Sequence, residues 1–406
     1  MRPQIFLGQG WLPSLSSGTY IIFGTTNFAF LRRIHRRYGE FVRTGPNEVS
    51  IFHPAAIQVL DSSSSHTTKD NWYDFLKPLN SAVFTRNESE HKEWRKSWTQ
   101  SLSKKSMGVY QPRIVELALS LSDTIADYAN TPVDVNEVMS WFSFDVMAEI
   151  VFGNHFGLVK SKSMHPAIRH RDRALAMLGP LEGAIWIARL GLDLVPFYGR
   201  IKDWLRKVAF CEDQMRKRMS ENNPKLNMAS WFIEEFHRNQ DLQDIGARNL
   251  LLTGTAVSAM VAGSDTVRSS LIAIWWYLSK YPEHASKLQA EIQHVEVGDM
   301  NTLSSLPHLN VESAFVSPDE FIPERWYSRP ELIRDKRAFG PFGFGNHHCV
   351  GQPVAYTELR LVTATLLQRY SVCFAPGYKP ESMWLNMKDQ VTAQPGEVLC
   401  IFEPRH

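Results

Sequence analysis

The stretch best equipped for chemistry is Phe339-Gly340-Pro341-Phe342-Gly343-Phe344-Gly345-Asn346-His347-His348-Cys349-Val350-Gly351. Three glycines and a proline ahead of Cys349 forbid regular structure there. Gly351-Gln352-Pro353 then leads into a helical run from Val354 to Tyr370, with Pro353 fitting its first turn. Cys349 therefore stands just ahead of a helix N-terminus, where the dipole and the free backbone N–H groups favour a thiolate over a thiol. The glycines also let backbone amides approach the sulfur and leave room for a flat ligand.

A lone thiolate is the axial ligand that pushes electron density onto haem iron and favours O–O cleavage. Competing readings are a buried inert cysteine in an ordinary turn, or a zinc site of His347, His348 and Cys349, which lacks a second ligand pair at metal-site spacing. Two other places carry reactive groups. Ala262-Gly263-Ser264-Asp265-Thr266 sets an acid beside an alcohol within a long apolar run. Such a pair can relay protons, although a bland polar pair in a helix looks the same. His91 and Arg95 have i, i+4 spacing, which puts both on one helix face. Alone they would read as a solvated pair.

The elements that must position these groups are mostly helical. Asp134-Val135-Asn136-Glu137 has the form of a capping box and opens a helix through Trp141, Phe142, Phe144, Val146, Met147 and Ile150 to Gly153. Arg200 to Met219, with apolar Ile201, Leu205, Val208 and Ala209, has the pattern of a surface helix. Glu221 to Lys225 and Ser62 to Ser65 read as loops. The longest helix candidate runs from about Arg248 to Lys280, on the order of 50 Å. It carries no charge from Asn249 to Ser264, yet Thr253, Thr255, Ser258 and Asp265 make it a poor membrane span and a better central helix buried on all sides. Glu40-Phe41-Val42-Arg43-Thr44 and Glu48-Val49-Ser50-Ile51-Phe52 alternate around Gly45-Pro46-Asn47 as a hairpin, stopped by Pro54. Two strands do not stand alone, so partners from elsewhere in the chain are expected.

Composition sets the outer bounds. A 406-residue chain with 44% hydrophobic and 21% charged residues is globular with ample core. Forty-four Lys and Arg against 42 Asp and Glu leave +2, a balance that argues against a nucleic-acid partner. Four scattered cysteines, at 211, 349, 373 and 400, make no disulfide framework and favour a reducing compartment. Near the N-terminus, Tyr20 to Leu31 is a 12-residue apolar stretch followed by Arg32-Arg33-Ile34-His35-Arg36-Arg37. It is shorter than the roughly 18 to 20 residues of a span, and its charge follows the apolar part instead of preceding it as in a signal peptide. It reads as a membrane-surface segment or as a packed strand or helix.

In combination, Phe342-x-x-Gly345-x-His347-x-Cys349-x-Gly351, Gly263-Ser264-Asp265-Thr266, His91-x-x-x-Arg95 and Phe321-Ile322-Pro323-Glu324-Arg325-Trp326 resemble the ordered signatures of the cytochrome P450 superfamily, from about Arg32 to Pro404. The resemblance implies a mainly α fold with a small β-sheet subdomain, residues 32–406 forming one haem domain behind an N-terminal segment 1–31. It implies Cys349 as the axial ligand of haem iron, with Phe342, Gly345 and Gly351 shaping the loop. His347, where the family usually carries Arg, would meet a haem propionate together with His91 and Arg95. Gly263 and Thr266 would permit a local opening of the long helix, and Asp265 with Thr266 would relay protons during oxygen activation. The implied activity is a monooxygenase that inserts one atom of O2 into a lipophilic small molecule, in the style of fungal secondary metabolism. Electrons would come from NADPH through a separate flavoprotein reductase, at the cytosolic face of the endoplasmic reticulum membrane.

One part of the pattern is missing. The family carries a Glu-x-x-Arg helix before the segment holding Arg325, and its charges cluster with that arginine. Here Glu235-Phe236-His237-Arg238 precedes the long helix and Glu331-Leu332-Ile333-Arg334 follows Arg325, so neither stands at the required place. Only 57 positions separate Thr266 from Pro323, roughly half the expected interval. A deletion near Asn310 to Ala314 is expected, leaving Arg325 buried without its carboxylate at a typical cost of about 3–5 kcal/mol. The alternative to an active monooxygenase is thus a truncated, non-catalytic relative unable to hold haem productively. A channel or transport subunit built on the long apolar helix would explain neither the cysteine loop nor the single such stretch.

Overall fold

Short polar side chains start the helices where the sequence puts them. Asn87 accepts hydrogen bonds from the Ser89 and Glu90 N–H groups ahead of helix Glu88–Ser101. Ser103 does the same for helix Lys104–Ala126, and Asp244 for helix Ile245–Lys280. Asp134 accepts from Glu137 N at 3.2 Å and opens helix Val135–Phe152, which ends at Gly153. Each cap satisfies backbone donors that the first turn leaves free. The computed structural model describes residues 27–45, 48–60, 62, 67–178, 185–221, 225–238, 244–294 and 314–405. Expectations for residues 20–26, 63–65, 222–224 and 310–313 lie outside these.

Helix Ile245–Lys280, 36 residues, is the axis of the fold. Helices Val135–Phe152, Gly199–Ser220, Met228–Arg238 and Gln352–Arg369 pack around it. Among the described residues it alone is long and apolar enough to cross a membrane, but 72% of its apolar window is buried in protein. Its apolarity belongs to the core, as an all-round hydrophobic helix requires. One close approach depends on Gly254, where an added Cβ would lie 2.1 Å from the Asn80 carbonyl oxygen. Beside it, the Ser81 and Ser258 hydroxyls meet at 2.9 Å and pin the loop to the helix.

The strands are few. Phe41–Gly45 and Glu48–Ile51 pair antiparallel with Phe41 opposite Ile51, as the hairpin pattern predicts. The expected additional strands do not join them: among the described residues this sheet has two strands, backed by helix Asn27–Tyr38. That helix takes in the end of the apolar N-terminal stretch, and its Arg32 and Arg36 pair with Asp319. Leu399–Pro404 lies between Val133–Asp134 and Tyr370–Phe374 in a three-stranded sheet, and Lys388–Gln390 pairs with Thr392–Gln394 in a small hairpin.

Two expectations change in the packing. Helix Gly199–Ser220 is not a simple surface helix whose apolar residues face inward: Leu205 is exposed, whereas Trp204, Lys207, Cys211 and Met215 are buried. The Lys207 ammonium sits 5.2 and 5.1 Å from the ring centres of Phe144 and Phe210, and burial lowers its pKa. Arg325 is buried, but its guanidinium is not left bare. It donates to the carbonyls of Ile322, Val316, Ser317 and Glu320 at 2.9 to 3.2 Å, so the penalty expected for an uncompensated charge is met by backbone dipoles.

Two glycines on helices should respond oppositely to alanine. Gly254→Ala drives a Cβ into Asn80 backbone and should destabilise by about 1–3 kcal/mol or more. Gly108→Ala, on an exposed helix face with nothing within 4 Å of the added carbon, should stabilise by roughly 0.5–1 kcal/mol. Urea unfolding of the two variants checks the signs; equal shifts would refute the close approach at Asn80.

Candidate functional site

The cysteine loop is closed by its own backbone. Cys349 N donates to the Phe342 carbonyl at 2.7 Å, and Gly343 N to the Gly340 carbonyl at 3.0 Å. Gly343 and Gly345 turn the chain at φ +69 and +61, a region that favours glycine. The Phe342 ring packs 5.0 Å from Tyr356 on helix Gln352–Arg369, anchoring the loop to the helix that follows. Gly351 is the N-cap residue of that helix. The N–H groups of Gly351 and Gln352 stand at this helix N-terminus beside the Cys349 sulfur and act to favour its thiolate, as a helix N-terminus should. Cys349 is open to solvent on one side and crowded by protein on the others. Burial on the crowded sides raises its pKa, against the opposing pull of those two N–H groups and of Arg95.

Beside the sulfur lies a cluster of bases. His91, buried on helix Glu88–Ser101, has its ring centre 4.3 Å from that of His347. Arg95, one turn on, donates to the His348 carbonyl at 2.7 Å and lies against the His348 ring at 3.2 Å. His347 Nε2 approaches Glu88 Oε1 at 3.9 Å. Lys69 enters from another segment and donates to the carbonyls of Ala82, Val83 and Thr85 at 3.1, 2.7 and 3.2 Å. Burial, then the charge of Arg95, lowers Lys69 to about 8. Burial, then Lys69, His347 and Arg95, lowers His91 to about 4. His347 and His348 thus face different partners, and among the described residues no three His, Cys, Asp or Glu side chains gather as a metal site would need.

The acid and the alcohol of the long helix are separated by their burial. Ala262, Thr266 and Ser270 form an exposed line at four-residue spacing, and Thr266 Oγ1 donates to the Ala262 carbonyl at 2.7 Å. The helix runs without interruption from Ile245 to Lys280. Asp265 is fully buried. Its Oδ1 accepts from Arg268 at 2.9 Å and lies 3.6 Å from Arg171, while its Oδ2 accepts from Gln394 at 2.8 Å and from Thr392. Burial alone would raise its pKa, but Arg171, Arg268, Thr392 and Gln394 outweigh burial and hold it below the ordinary value. Gly263 serves helix packing: an added Cβ would lie 2.4 Å from the Met147 sulfur.

Phe342, Gly345, His347, Cys349, Gly351, His91 and Arg95 therefore come together. Gly263 and Asp265 point into helix contacts. Sequence spacing did not disclose Lys69, Arg171, Arg268, Thr392 or Gln394, nor the contact of His348 with Arg95, because these partners are set by tertiary packing over as many as 253 positions.

The Cytochrome P450 family model matches residues 9–316 and 308–401. The chain is 27% identical to the cytochrome P450 monooxygenase sthD of Phaeosphaeria nodorum, over 91% of this chain and 88% of that protein. It is 29% identical to the cytochrome P450 monooxygenase FCK2 of Fusarium pseudograminearum, over 92% and 77%. It is 26% identical to the tryprostatin B 6-hydroxylase of Neosartorya fischeri, over 90% and 75%. In fold it resembles the crystal structure of the cytochrome P450DA heme domain, with a TM-score of 0.71 over 96% of this chain and 95% of that one, at 16% identity.

The depressed pKa of His91 has a consequence for stability. Its folded value of about 4 lies below the ordinary 6.5, so as pH falls the unfolded chain takes up the proton first. Stability should be lost between about pH 6.5 and 4. Urea midpoints at pH 7.5 and 5 should therefore fall more for the natural protein than for His91→Gln. Parallel falls would show that the ring is not held neutral.

Proposed function

The chain belongs to the cytochrome P450 family, and on that footing we propose that it is a haem-thiolate monooxygenase acting on a lipophilic small molecule of secondary metabolism. The observation that carries this is the Cys349 sulfur at a helix N-terminus, with two backbone N–H groups beside it and a cluster of bases alongside. These residues suit a haem: Cys349 to ligate the iron, and His91, Arg95 and His347 to meet its propionates. When bound, haem would supply activation of dioxygen, with electrons from NADPH delivered through a separate flavoprotein reductase.

The protein's own groups act around that chemistry. The Gly351 and Gln352 N–H groups stabilise negative charge on sulfur without proton transfer. Anions beside His91 and Arg95 would relieve their mutual repulsion and raise the His91 pKa toward its ordinary value. Thr266 offers a hydroxyl on the exposed line of the long helix, free to rotate between its own Ala262 carbonyl and a neighbouring acceptor. Membrane-surface attachment is supported by exposed Trp186, Leu194, Phe197 and Tyr198, flanked by Arg189, Arg200 and Lys202; the cytosolic face of the endoplasmic reticulum is the location that the family resemblance implies.

A second reading, a truncated relative that does not hold haem productively, is supported by the division of the family match at residues 308–316. It is also supported by the lack of a Glu-x-x-Arg string between Thr266 and Arg325.

Expression with haem, reduction and addition of carbon monoxide decides between them. A strongly red-shifted Soret band that is lost in Cys349→Ala supports the monooxygenase; soluble protein without the band supports the second reading. Arg95→Ala should speed haem transfer to apomyoglobin roughly 10- to 100-fold, the scale of a lost charge-assisted hydrogen bond. An unchanged rate would remove Arg95 from the propionate site.

A further inference from the structure

The hairpin formed by Lys388–Gln390 and Thr392–Gln394 is weakly built. Among the described residues its strands pair only with each other. They turn through Val391, a β-branched residue at φ +69, a conformation such side chains rarely adopt. Two three-residue strands do not hold themselves together. Side chains from the second strand supply the anchorage: Gln394 Nε2 and Thr392 Oγ1 both donate to Asp265 Oδ2 on the long helix, and Gln394 Nε2 also reaches Thr392 Oγ1 at 2.7 Å. Arg268 donates both to Asp265 and to the Gln394 side-chain Oε1.

The same carboxylate faces helix Pro166–Leu178. Arg171, fully buried there, lies 3.6 Å from Asp265 and donates to Ser264 Oγ at 2.7 Å and to Asp172 at 2.7 and 2.8 Å. A cavity of about 820 Å3 opens between this helix, the start of helix Gly199–Ser220 and the hairpin, with Asp172 on one wall and Gln394 on the other. Both walls are thus tied through Asp265, and the groove between them, open to solvent on one side, has room for a small molecule. Leu385 and Met387 give it an apolar side. Of its charged lining groups, Asp172 is paired with Arg171 and Arg173 with Asp203. That leaves Lys388 and Arg200, whose guanidinium also donates to the Ala176 carbonyl at 2.7 Å, against Glu397, a balance favouring an anionic end.

We propose that Asp265 is a positioning residue: it clamps the Lys388–Gln394 hairpin onto the long helix and holds the adjoining cavity in shape as a specificity pocket for amphiphiles ending in an anion, with Lys388 and Arg200 at the anionic end. The substrate role rests on the monooxygenase reading, but the clamp and the pocket are tested without haem or turnover.

Hydrogen exchange on the full chain reads the clamp. Gln394→Ala and Thr392→Val should each speed exchange of the 388–394 amides at least tenfold, well beyond the change within the long helix, with at most a modest fall in thermal midpoint. Unchanged hairpin exchange in both, or a loss of protection spread over the whole fold, overturns the clamp. Equilibrium dialysis with dodecanoate and dodecanol reads the pocket. Dodecanoate affinity should drop at least threefold in Gln394→Ala and in Lys388→Gln, with dodecanol indifferent to Lys388→Gln. Equal effects on the two probes, or none, overturn the anionic-end assignment. Either result stands whether or not the carbon monoxide band appears, so failure here is separable from failure of the haem reading.

Discussion

A helix sheathed on nearly every side cannot hydrate its polar groups, and the fold is arranged around meeting that requirement for helix Ile245–Lys280. Several of the buried polar side chains on it find partners from different parts of the chain. Ser258 meets Ser81, Ser264 meets Arg171, and Asp265 meets Arg171, Thr392 and Gln394. Trp276 Nε1 donates to the Pro380 carbonyl at 2.9 Å, and the Ser279 hydroxyl lies 3.3 Å from Cys400 Sγ. These contacts bring the loop near residue 80, helix Pro166–Leu178 and the C-terminal segments to fixed heights along one axis. The line Ala262, Thr266 and Ser270 is exempt because it is exposed. The division between satisfied and open faces therefore separates Asp265 from Thr266, although the two are adjacent in sequence.

Around Cys349 the requirement is opposite in kind. Burial pushes the thiol up and pushes Lys69, His91 and Arg95 down, and the bases repel one another. Every group is driven toward neutrality, which is the response of titratable side chains short of counter-charge. A metal cation at the sulfur and carboxylates beside the bases would reverse each of these pressures at once. That complementarity supports the haem reading more strongly than any single residue of the loop, since a cysteine in a glycine-rich turn is by itself an ordinary feature.

What the sequence disclosed is local. The Asp134 cap, the hairpin at Phe41 and the turn ahead of Pro353 each follow from residues within a few positions of one another, and all are present. The pairing of His91 with His347 was legible only through the family pattern. Lys207 was hidden because its burial depends on Phe144, from a separate helix, offering a ring face to a cation. The contacts of Asp265 were hidden for the same reason: nothing near it in sequence announces Arg171 or a distant hairpin. The buried face of helix Gly199–Ser220 was misassigned because its neighbours select Trp204 and Lys207 over Leu205.

Among the described residues, Arg325 is a buried cation met by backbone carbonyls and not by a carboxylate. The segment holding it forms a separate small core of Ala314, Phe315 and Ala338, with Trp326, Ile333 and Phe339 packed against it. Folding back on itself, that segment turns four carbonyls toward the guanidinium and lays the Phe315 ring 5.6 Å from it. It joins the body through Phe321, stacked against Tyr277 and Tyr281 with ring centres at 4.4 and 5.0 Å, and through Glu324 with Lys287. Carbonyl dipoles are weaker partners than a carboxylate, but they come already desolvated by the fold and add no second buried charge. The segment next to the break in the family match can therefore close around its arginine. Whether the cysteine loop beyond it is held rigidly enough for haem then rests on the Phe342 to Tyr356 contact and the turn at Gly343 and Gly345, neither of which passes through residues 308–316.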